Sequence, residues 1–430
     1  MNILILGFGK SGQGAYDLLQ KDKTNYIDVY LDNLDSSLIK TFKDVSFINS
    51  INKKYDLAIA SPGFSKDSFA IKKLKEQNIK TISEIELGYM YAKNIIAVTG
   101  TNGKSTTSKL IENMLLRAGI DCIVCGNFGY SFCKAVSENK NRVFIVETSS
   151  FQLETIDLYK PKAIVITNIS KDHLDRYSSF EEYINTKKRI LKNYKNEILV
   201  ANYDDKIVRE MVKDFNDKVG YFSTKTKTNL AYLKEDKICY FNKEEIELLS
   251  TKDLYIDYPF EIENCLAVIS LGLKLNIPIA DILSTVKYFD GLKYRLEYVR
   301  EYNGKKYYNN SKCTNIASCI QSIKAIKEDC LLILGGSSKN ENFSDLFNNL
   351  PNNVKRIAIC GNNANSIIKY AVKYNNICKV YNNLEDILEE SKNFDDIKVV
   401  LYSPSSASFD KYTCSEHRGE VFCNLAKNIK

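Results

Sequence analysis

The chain has 430 residues, of which 44% are apolar and 26% are charged. This length predicts about three domains of ordinary size, and the composition excludes a chain that is disordered throughout. The 60 basic and 53 acidic residues leave a net charge of +7, but the basic residues are spread along the chain and form no stripe for nucleic-acid binding. The apolar runs are shorter than the roughly 20 residues that cross a bilayer. We therefore expect neither a nucleic-acid partner nor membrane insertion.

The N-terminus enters an apolar run at Ile3 without a basic segment before it. This pattern is not typical of a secretory signal, so we expect a cytoplasmic protein. The twelve cysteines are scattered, which favours reduced thiols in such a chain. Cys122 and Cys125 form a single CxxC without a second one, and this favours buried thiols over a metal or redox pair.

The first segment, residues 1–92, alternates short apolar runs with helical stretches: NILILG, then Ser11 to Leu19, then YIDVYLD and YDLAIASPG. That alternation predicts βαβ units and a parallel sheet. Gly7, Gly9 and Gly12 form a GxGxxG between the first strand and its helix, and Asp32 follows the next strand. Such a turn holds a diphosphate at a helix start, with the acid on a ribose hydroxyl. Alone, the motif leaves open a nicotinamide-dependent oxidoreductase or a turn that binds nothing.

Two further α/β series follow. Residues 93–290 contain the strands IIAVTG, NRVFIVE, KAIVITN and EILVANYDD, with helices expected at 104–118, about 180–194 and 264–275. Residues 291–430 begin with a hairpin over 297–309 that turns at Asn303-Gly304, and continue with the strands CLLILGG, RIAICGN and KVVLYSP. The predicted fold class is α/β, with a Rossmann-like N-terminal domain, a central P-loop ATPase domain and a Rossmann-like C-terminal domain.

The loop TGTNGKS, residues 99–105, lies between a predicted strand and a predicted helix. A loop of this kind turns amides toward phosphate oxygens, while Lys104 neutralises the outer phosphates and the Ser105 hydroxyl ligates Mg²⁺. The usual spacing would have glycine at position 98, where Val98 stands, so the loop is a variant of the P-loop. It predicts a nucleoside triphosphate site.

Ligands for a metal ion are expected at the ends of neighbouring strands. Glu147 ends the strand NRVFIVE, and His173 follows the strand KAIVITN in an acidic loop. Because ligands bind open α/β sheets at the carboxyl ends of the strands, we interpret both as metal or substrate ligands.

These motifs together resemble the Mur ligase family over essentially the whole chain. The resemblance rests on TGTNGKS, ETSSFQLE, the NxxxDHLDRY segment, KxRI, YRLEY, NSKCTN, LGGSSK and SPSSASFD, in the family's order and approximate spacing. Within the family, GFGKSG, SPGF and SPSSASFDKY resemble the enzymes that add D-glutamate to UDP-N-acetylmuramoyl-L-alanine. The resemblance implies a monomeric ligase that consumes ATP and Mg²⁺ and forms an acyl phosphate.

The resemblance also implies roles for individual residues. The catalytic set is Lys104, His173 and Lys187, with Lys187 of the KxRI pattern carbamylated. The metal ligands are Ser105, Glu147, His173 and Lys187. The ATP-binding residues are Gly100, Thr101, Asn102, Gly103, Lys104, Ser105, Thr106, Asn264 and Arg295. The uridine-substrate residues are Gly9, Lys10, Ser11, Asp32, Asn33 and Asn127, and the D-glutamate residues are Thr314, Lys339 and Ser408.

Alternatives stand beside some of these roles. Lys187 and its neighbour Lys188 also fit a solvated helix face, and Thr314 and Ser408 also fit ordinary helix caps. Three positions depart from the family pattern: Asn310 replaces an aspartate, Glu261 replaces an asparagine and Ser415 replaces an aromatic residue. Another ligase of the superfamily and a nucleotide-binding scaffold without activity are the remaining alternatives for the whole chain.

Overall fold

The computed structural model describes residues 1–338 and 341–429. The chain divides into two compact units. The first contains Met1–Ile169, Ser179–Asp257 and Glu261–Phe289, and the second contains Ser170–Ser178, Tyr258–Phe260 and Asp290–Lys430.

The first unit begins with a parallel sheet in the strand order β3-β2-β1-β4-β5. Its strands are β1 (Asn2–Leu6), β2 (Tyr26–Tyr30), β3 (Ser46–Ile48), β4 (Leu57–Ala60) and β5 (Thr81–Ser83), and its helices are α1 (Lys10–Leu19), α2 (Ser36–Thr41), α3 (Phe69–Glu76) and α4 (Glu84–Tyr91). The strand order reverses between β1 and β4, and such a switch point opens a crevice at the carboxyl ends of the strands. The glycine-rich turn after β1 lies at that crevice.

A second parallel sheet in the same unit has the order β11-β10-β9-β6-β8-β7. Its strands are β6 (Ile95–Thr99), β7 (Cys122–Gly126), β8 (Val143–Glu147), β9 (Ala163–Ile166), β10 (Ile198–Asn202) and β11 (Val219–Phe222). The central strand β6 is apolar at nearly every position and buried along its whole length, as expected for a parallel strand that helices cover on both faces.

Helices and a small antiparallel sheet complete this unit. The helices are α5 (Lys104–Arg117), α6 (Phe132–Glu138), α7 (Ser150–Leu153), α8 (Phe180–Lys188), α9 (Lys206–Val212), α10 (Pro259–Lys274) and α11 (Ile279–Lys287), and the antiparallel strands are β12 (Ala231–Lys234), β13 (Lys237–Asn242) and β14 (Glu244–Ser250). Helix α10 begins five residues before the predicted start at 264, because Pro259 fits the first helical position.

The second unit contains one mixed sheet in the order β15-β16-β20-β17-β18-β19. Its strands are β15 (Glu297–Tyr302), β16 (Lys305–Asn309), β17 (Cys330–Gly335), β18 (Val354–Ile359), β19 (Cys378–Val380) and β20 (Val399–Ser405), and its helices are α12 (Ile316–Ala325), α13 (Ser344–Asn348), α14 (Ala364–Ile368), α15 (Leu384–Ser391) and α16 (Ser415–Asn428). The hairpin β15-β16 turns at Asn303 and Gly304, both with positive φ, as a two-residue turn requires.

Two apolar layers enclose the sheet of the second unit. Alternate residues of its strands pack on α12, α13 and α14 on one side and on α15 and α16 on the other. The predicted α/β class with parallel sheets is confirmed. The domain boundaries at 92/93 and 290/291 remain predictions.

Cys122 and Cys125 both lie in β7 and are buried. Residues three apart on a strand point to opposite faces of the sheet, so the two thiols are poorly disposed to share a metal ion. Burial raises the pKa of the Cys122 thiol to about 12, which keeps it protonated.

No helix within the described part of the chain combines the length and the apolar character that a membrane span requires.

Candidate active site

The phosphate loop, defined here as residues 99–105, runs from the end of β6 to the start of α5. Gly100 and Gly103 have φ values of +147° and +81°, which side-chain-bearing residues rarely adopt. A Cβ atom at Gly100 would lie 2.0 Å from the Thr167 hydroxyl oxygen, and one at Gly103 would lie 2.4 Å from Oδ1 of Asn264. Glycine is therefore required at both positions by backbone conformation and by close packing.

Side chains from four neighbouring positions bind the carbonyl groups of this loop. Lys187 Nζ donates to the Gly100 carbonyl at 2.8 Å, and Lys104 Nζ donates to the Thr101 carbonyl at 2.7 Å. The Asn102 carbonyl accepts from Thr167 Oγ1 at 2.7 Å and from Asn168 Nδ2 at 3.3 Å. These bonds hold the loop in one backbone conformation.

Helix α5 starts at Lys104, within the loop as defined here, so that Lys104 and Ser105 lie in its first turn. Ser105 and Thr106 are 5% and 2% exposed. The first amides of a helix have no intrahelical acceptor and carry the positive end of the helix dipole. The loop and helix start thus have the arrangement that anion binding requires, and the nucleotide site itself remains a prediction.

Glu147 ends β8, which pairs directly with β6, so that Glu147 lies opposite Val98 in the register. The residue is 1% exposed. Its Oε1 accepts from Asn127 Nδ2 at 2.6 Å, whereas its buried Oε2 has no hydrogen-bond partner among the residues that the structure describes. A buried carboxylate oxygen without a partner is costly unless a ligand completes it. Together with the Ser105 hydroxyl, this oxygen fits the requirement of Mg²⁺, which takes one or two protein ligands beside substrate phosphates.

Lys187 and Lys188 face in different directions at the end of α8. Lys187 is 2% exposed. Its Nζ donates to the Gly100 carbonyl and lies 5.1 Å from the ring centroid of Tyr183. The side chain of Lys188 is 39% exposed and lies 3.6 Å from Asp214. Only Lys188 thus belongs to a solvated helix face, and Lys187 belongs to the phosphate-loop surroundings.

Asn264 is in contact with the phosphate loop. It is 3% exposed, its Oδ1 accepts from Thr107 Oγ1 at 3.3 Å, and its Nδ2 donates to Glu261 Oε2 at 3.1 Å. Glu261, which departs from the family pattern, therefore serves as the acceptor that orients this amide.

The uridine-substrate candidates other than Asn127 lie around the turn after β1, whereas Asn127 follows β7 and donates to Glu147. Gly9 is the N-cap of α1, and Lys10 and Ser11 begin that helix. Asp32 and Asn33 are exposed just beyond β2. Ser61, which follows β4, also reaches this crevice, because its Oγ would lie 3.2 Å from a Cβ at Gly7.

The second unit carries His173 and Thr314, which line one cavity of about 450 Å³. His173 has φ +55°, and its Nε2 lies 3.8 Å from Oδ2 of Asp172. Asp172 Oδ2 also accepts from Asn315 Nδ2 at 3.3 Å, which connects the His173 segment to the start of α12.

The remaining predicted residues of the second unit are dispersed. Ser408 is 3% exposed in the loop after β20 and is not part of the cavity lining. Arg295 precedes β15 and is partly buried. Lys339 lies outside the described residues.

The departures at Asn310 and Ser415 have local explanations. Asn310 Nδ2 donates to the hydroxyls of Ser322 and Ser403 at 2.7 and 3.1 Å, and its Oδ1 accepts from the Leu296 amide at 3.2 Å. An aspartate has no donor for the two hydroxyls, so the amide suits this buried position. Ser415 starts α16, and its hydroxyl donates to Glu416 at 3.0 Å.

Sequence reasoning overlooked two residues that shape the phosphate loop. The sequence patterns include Asn168 only as the first residue of the NxxxDHLDRY segment, and they give no role to Glu263. Asn168 follows β9, the strand that pairs with β6. The strand order therefore indicates that a residue just after β9 lies near the loop that follows β6. Glu263 is distant in sequence, and only packing of α10 brings it near.

The comparisons with known proteins agree with this geometry. Residues 98–272 match the family model described as Mur ligase middle domain. UDP-N-acetylmuramoylalanine--D-glutamate ligase of Thermoanaerobacter pseudethanolicus is 36% identical over 449 residues, covering 100% of this chain and 98% of the relative. The ligase of the same name from Clostridioides difficile is 33% identical, again over 100% and 98%.

Solved structures show the same fold at lower identity. A pseudomurein peptide ligase type C from Methanothermus fervidus has a TM-score of 0.65 at 18% identity over 100% of both chains. UDP-N-acetylmuramate-alanine ligase MurC from Thermotoga maritima has a TM-score of 0.63 at 16% identity over 99% of both.

The chain belongs to the Mur ligase family. Its full-length relatives named above are D-glutamate ligases of that family, which confirms the resemblance and disfavours the oxidoreductase interpretation of the glycine-rich turn.

Proposed function

We propose that this chain joins D-glutamate to UDP-N-acetylmuramoyl-L-alanine in peptidoglycan synthesis, converting ATP to ADP and phosphate. The names of the full-length relatives support the activity. The observation that carries the ATP-dependent chemistry is Glu147, whose buried, unpartnered oxygen lies at the end of the strand beside the phosphate loop.

The reaction requires activation of a carboxylate, which is a poor electrophile. The substrate carboxylate attacks the γ-phosphorus of ATP, the bond to the β-phosphate oxygen breaks, and an acyl phosphate and ADP form. The amine of D-glutamate then attacks the acyl carbon, phosphate leaves, and the nitrogen loses a proton to a base. Both steps concentrate negative charge on oxygen atoms, so cationic side chains and oriented amides provide most of the stabilisation.

The phosphate loop supplies these groups in our proposal. Gly100, Thr101, Asn102, Gly103 and Thr106 form the cradle for ATP, and Lys104 contacts the γ-phosphate. Asn264, which packs against Gly103, is a further ATP-binding residue in this proposal. Arg295 of the second unit is another.

Ser105 and Glu147 would hold Mg²⁺, which neutralises charge on the β- and γ-phosphates. The fit rests on the unpartnered Glu147 oxygen. His173 is the proposed ligand of a second metal ion.

Lys187 is proposed to carry a carbamate. The neutral amine adds to the carbon of CO₂ and releases one proton to water, giving a carboxylate-like ligand. The support is burial, because a low-dielectric environment favours a neutral amine, and Lys187 is 2% exposed.

Substrate binding is assigned to the two remaining groups. Gly9, Lys10, Ser11, Asp32, Asn33 and Asn127 are the proposed contacts of the uridine-linked substrate. Thr314, Lys339 and Ser408 are the proposed contacts of D-glutamate. For Thr314, the support is its position in the cavity that also contains His173.

We further propose a cytoplasmic monomer with domains at 1–92, 93–290 and 291–430. The two parallel sheets of the first unit support the first boundary, and sedimentation of the purified chain tests the monomer.

The deciding experiment measures phosphate release by the purified chain with Mg²⁺, ATP and UDP-N-acetylmuramoyl-L-alanine. We expect release only when D-glutamate is also present, and none with L-glutamate, L-alanine or a diamino acid. Release with a different amino acid would reassign the chain to another ligase activity, and no release with any of them would refute the proposal. NADH serves as a control ligand in thermal unfolding and is expected to leave the melting temperature unchanged.

A further inference from the structure

The Asn168 side chain forms a two-way amide pair with the backbone of Asn102 in the phosphate loop. Asn168 Oδ1 accepts from the Asn102 amide at 2.9 Å, and Asn168 Nδ2 donates to the Asn102 carbonyl at 3.3 Å. The backbone of the same residue accepts from the Thr101 amide at 2.7 Å. A single residue that follows β9, Asn168, thus binds three consecutive peptide groups of the loop.

Glu263 on α10 binds the other side of this amide. Its Oε1 accepts from Asn168 Nδ2 at 3.2 Å. A carboxylate accepts hydrogen bonds and donates none, so it favours the amide orientation in which nitrogen faces Glu263 and oxygen faces the Asn102 amide. A flipped amide would place oxygen against both the carboxylate and the Asn102 carbonyl, with the loss of all three bonds.

The surroundings of Glu263 disfavour its ionised form, so packing alone does not account for an acid at this position. Burial and the nearby carboxylates of Asp204 and Asp205 raise the pKa of Glu263 to about 7, while the Asn168 bond and Lys225 act in the opposite direction. An ionised acid here therefore lowers stability near neutral pH, whereas a glutamine would be less costly. Its bond to Asn168 is the contact through which the negative charge acts on the phosphate loop.

We infer that Glu263 is a positioning residue for ATP, which acts through Asn168 to hold the Thr101–Asn102 backbone in the conformation that receives the phosphates. The inference rests on the proposed role of residues 99–105 as the ATP site. Glu263 need not touch ATP for this role, because Asn168 carries the effect to the loop.

The test compares Glu263→Leu with Glu263→Gln, and with Glu138→Leu as a control on an exposed residue of α6. Loss of one charge-assisted hydrogen bond predicts that Glu263→Leu raises KM for ATP about tenfold with kcat changed less than about twofold. Glu263→Gln retains an acceptor without the charge and is expected to restore part of the affinity, and Glu138→Leu is expected to change neither constant. The dissociation constant of a non-hydrolysable ATP analogue with Mg²⁺, measured by calorimetry, is expected to follow KM.

The pH profile provides a readout that packing alone would not change. Above pH 7, Glu263 is ionised and accepts strongly from Asn168, and below pH 7 it takes up a proton and the bond weakens. KM for ATP should therefore rise more steeply between pH 8 and pH 6 in the unaltered enzyme than in Glu263→Gln. The terminal phosphate of ATP titrates in the same range in both proteins, so their difference isolates Glu263.

Unchanged KM and analogue affinity in Glu263→Leu, or identical pH profiles in the unaltered enzyme and Glu263→Gln, would overturn the inference. A failure of the proposed function is recognised separately, because the unaltered chain would then release no phosphate with D-glutamate. Analogue binding to the variants still decides the role of Glu263 in that case, and a chain that binds no analogue would overturn both.

Discussion

At the scale of single residues, the candidate site combines buried charged groups with loop backbone. Glu147 and Lys187 are 1% and 2% exposed, which is unusual for their residue types. Glu147 accepts from Asn127, and Lys187 donates to the Gly100 carbonyl of the phosphate loop. Such groups are kept at a cost in stability, and this cost is typical of functional sites.

Glu147→Gln is expected to weaken Mg²⁺ binding because an amide oxygen carries no full negative charge for the cation. We predict a lower kcat/KM, by roughly 10- to 100-fold at limiting Mg²⁺, and partial recovery at high Mg²⁺. Initial rates over a Mg²⁺ titration measure the effect, with Glu138→Gln as the exposed control. Coincident Mg²⁺ curves for Glu147→Gln and the unaltered enzyme would remove Glu147 from the metal site.

Lys187 and Lys188 form a matched pair for testing the carbamate. Lys187→Ala should abolish a ¹³C NMR carbamate signal from labelled bicarbonate and reduce ADP formation by about two orders of magnitude or more, since it removes an anionic ligand. Lys188→Ala removes only a surface charge and should retain both. A carbamate signal that persists in Lys187→Ala would exclude this lysine as its site.

At the scale of elements, the turn between β6 and α5 depends on its packing against α10 and the end of β9. Gly103 contacts Asn264, and Gly100 contacts Thr167. The sequence predicted the loop, because the residue types of TGTNGKS are typical of a phosphate-binding turn. It did not predict the contacts with Asn264 and Thr167. The loop conformation depends on contacts between residues about 70 to 160 positions apart, which no local pattern encodes.

Gly103→Ala and Gly119→Ala test this dependence at the two ends of α5. Both glycines have positive φ, of +81° and +73°, but only Gly103 would place a Cβ against another side chain. Each change should lower the free energy of unfolding by about 1 kcal/mol or more. Only Gly103→Ala should also raise KM for ATP, measured in the same assay. An equal effect of both variants on KM would contradict the assigned contact.

At the scale of the whole molecule, the chain divides into two compact units with separate cores. The phosphate loop, Glu147 and Lys187 belong to the first unit, and His173, Arg295, Thr314 and Ser408 belong to the second. The proposed reaction thus draws residues from both units. Multi-unit chains often unfold in more than one step.

We predict two thermal transitions, and Mg²⁺ with a non-hydrolysable ATP analogue should raise the one belonging to the first unit by more than the other, because all proposed ATP contacts except Arg295 lie in the first unit. Saturation at 100 times the dissociation constant would stabilise that unit by about 2.7 kcal/mol. Calorimetry measures the transitions, and Leu332→Ala, in the core of the second unit, assigns the other one by lowering it. A larger nucleotide-induced shift of the Leu332-sensitive transition than of the other one would contradict the prediction.

The sequence by itself determined the α/β class, the family and the phosphate loop, because alternating apolar runs and short motifs at strand ends are local signals. The role of Glu147 as a ligand remains a prediction, supported by a buried carboxylate oxygen that has no partner among the described residues. Only the tertiary structure separated Lys187 from Lys188, which are adjacent in sequence and differ in whether they face the interior. Only the packing of α10 brought Glu263 to the Asn168 amide that supports the loop, because hydrogen bonds between distant segments depend on chain topology rather than on local residue pattern.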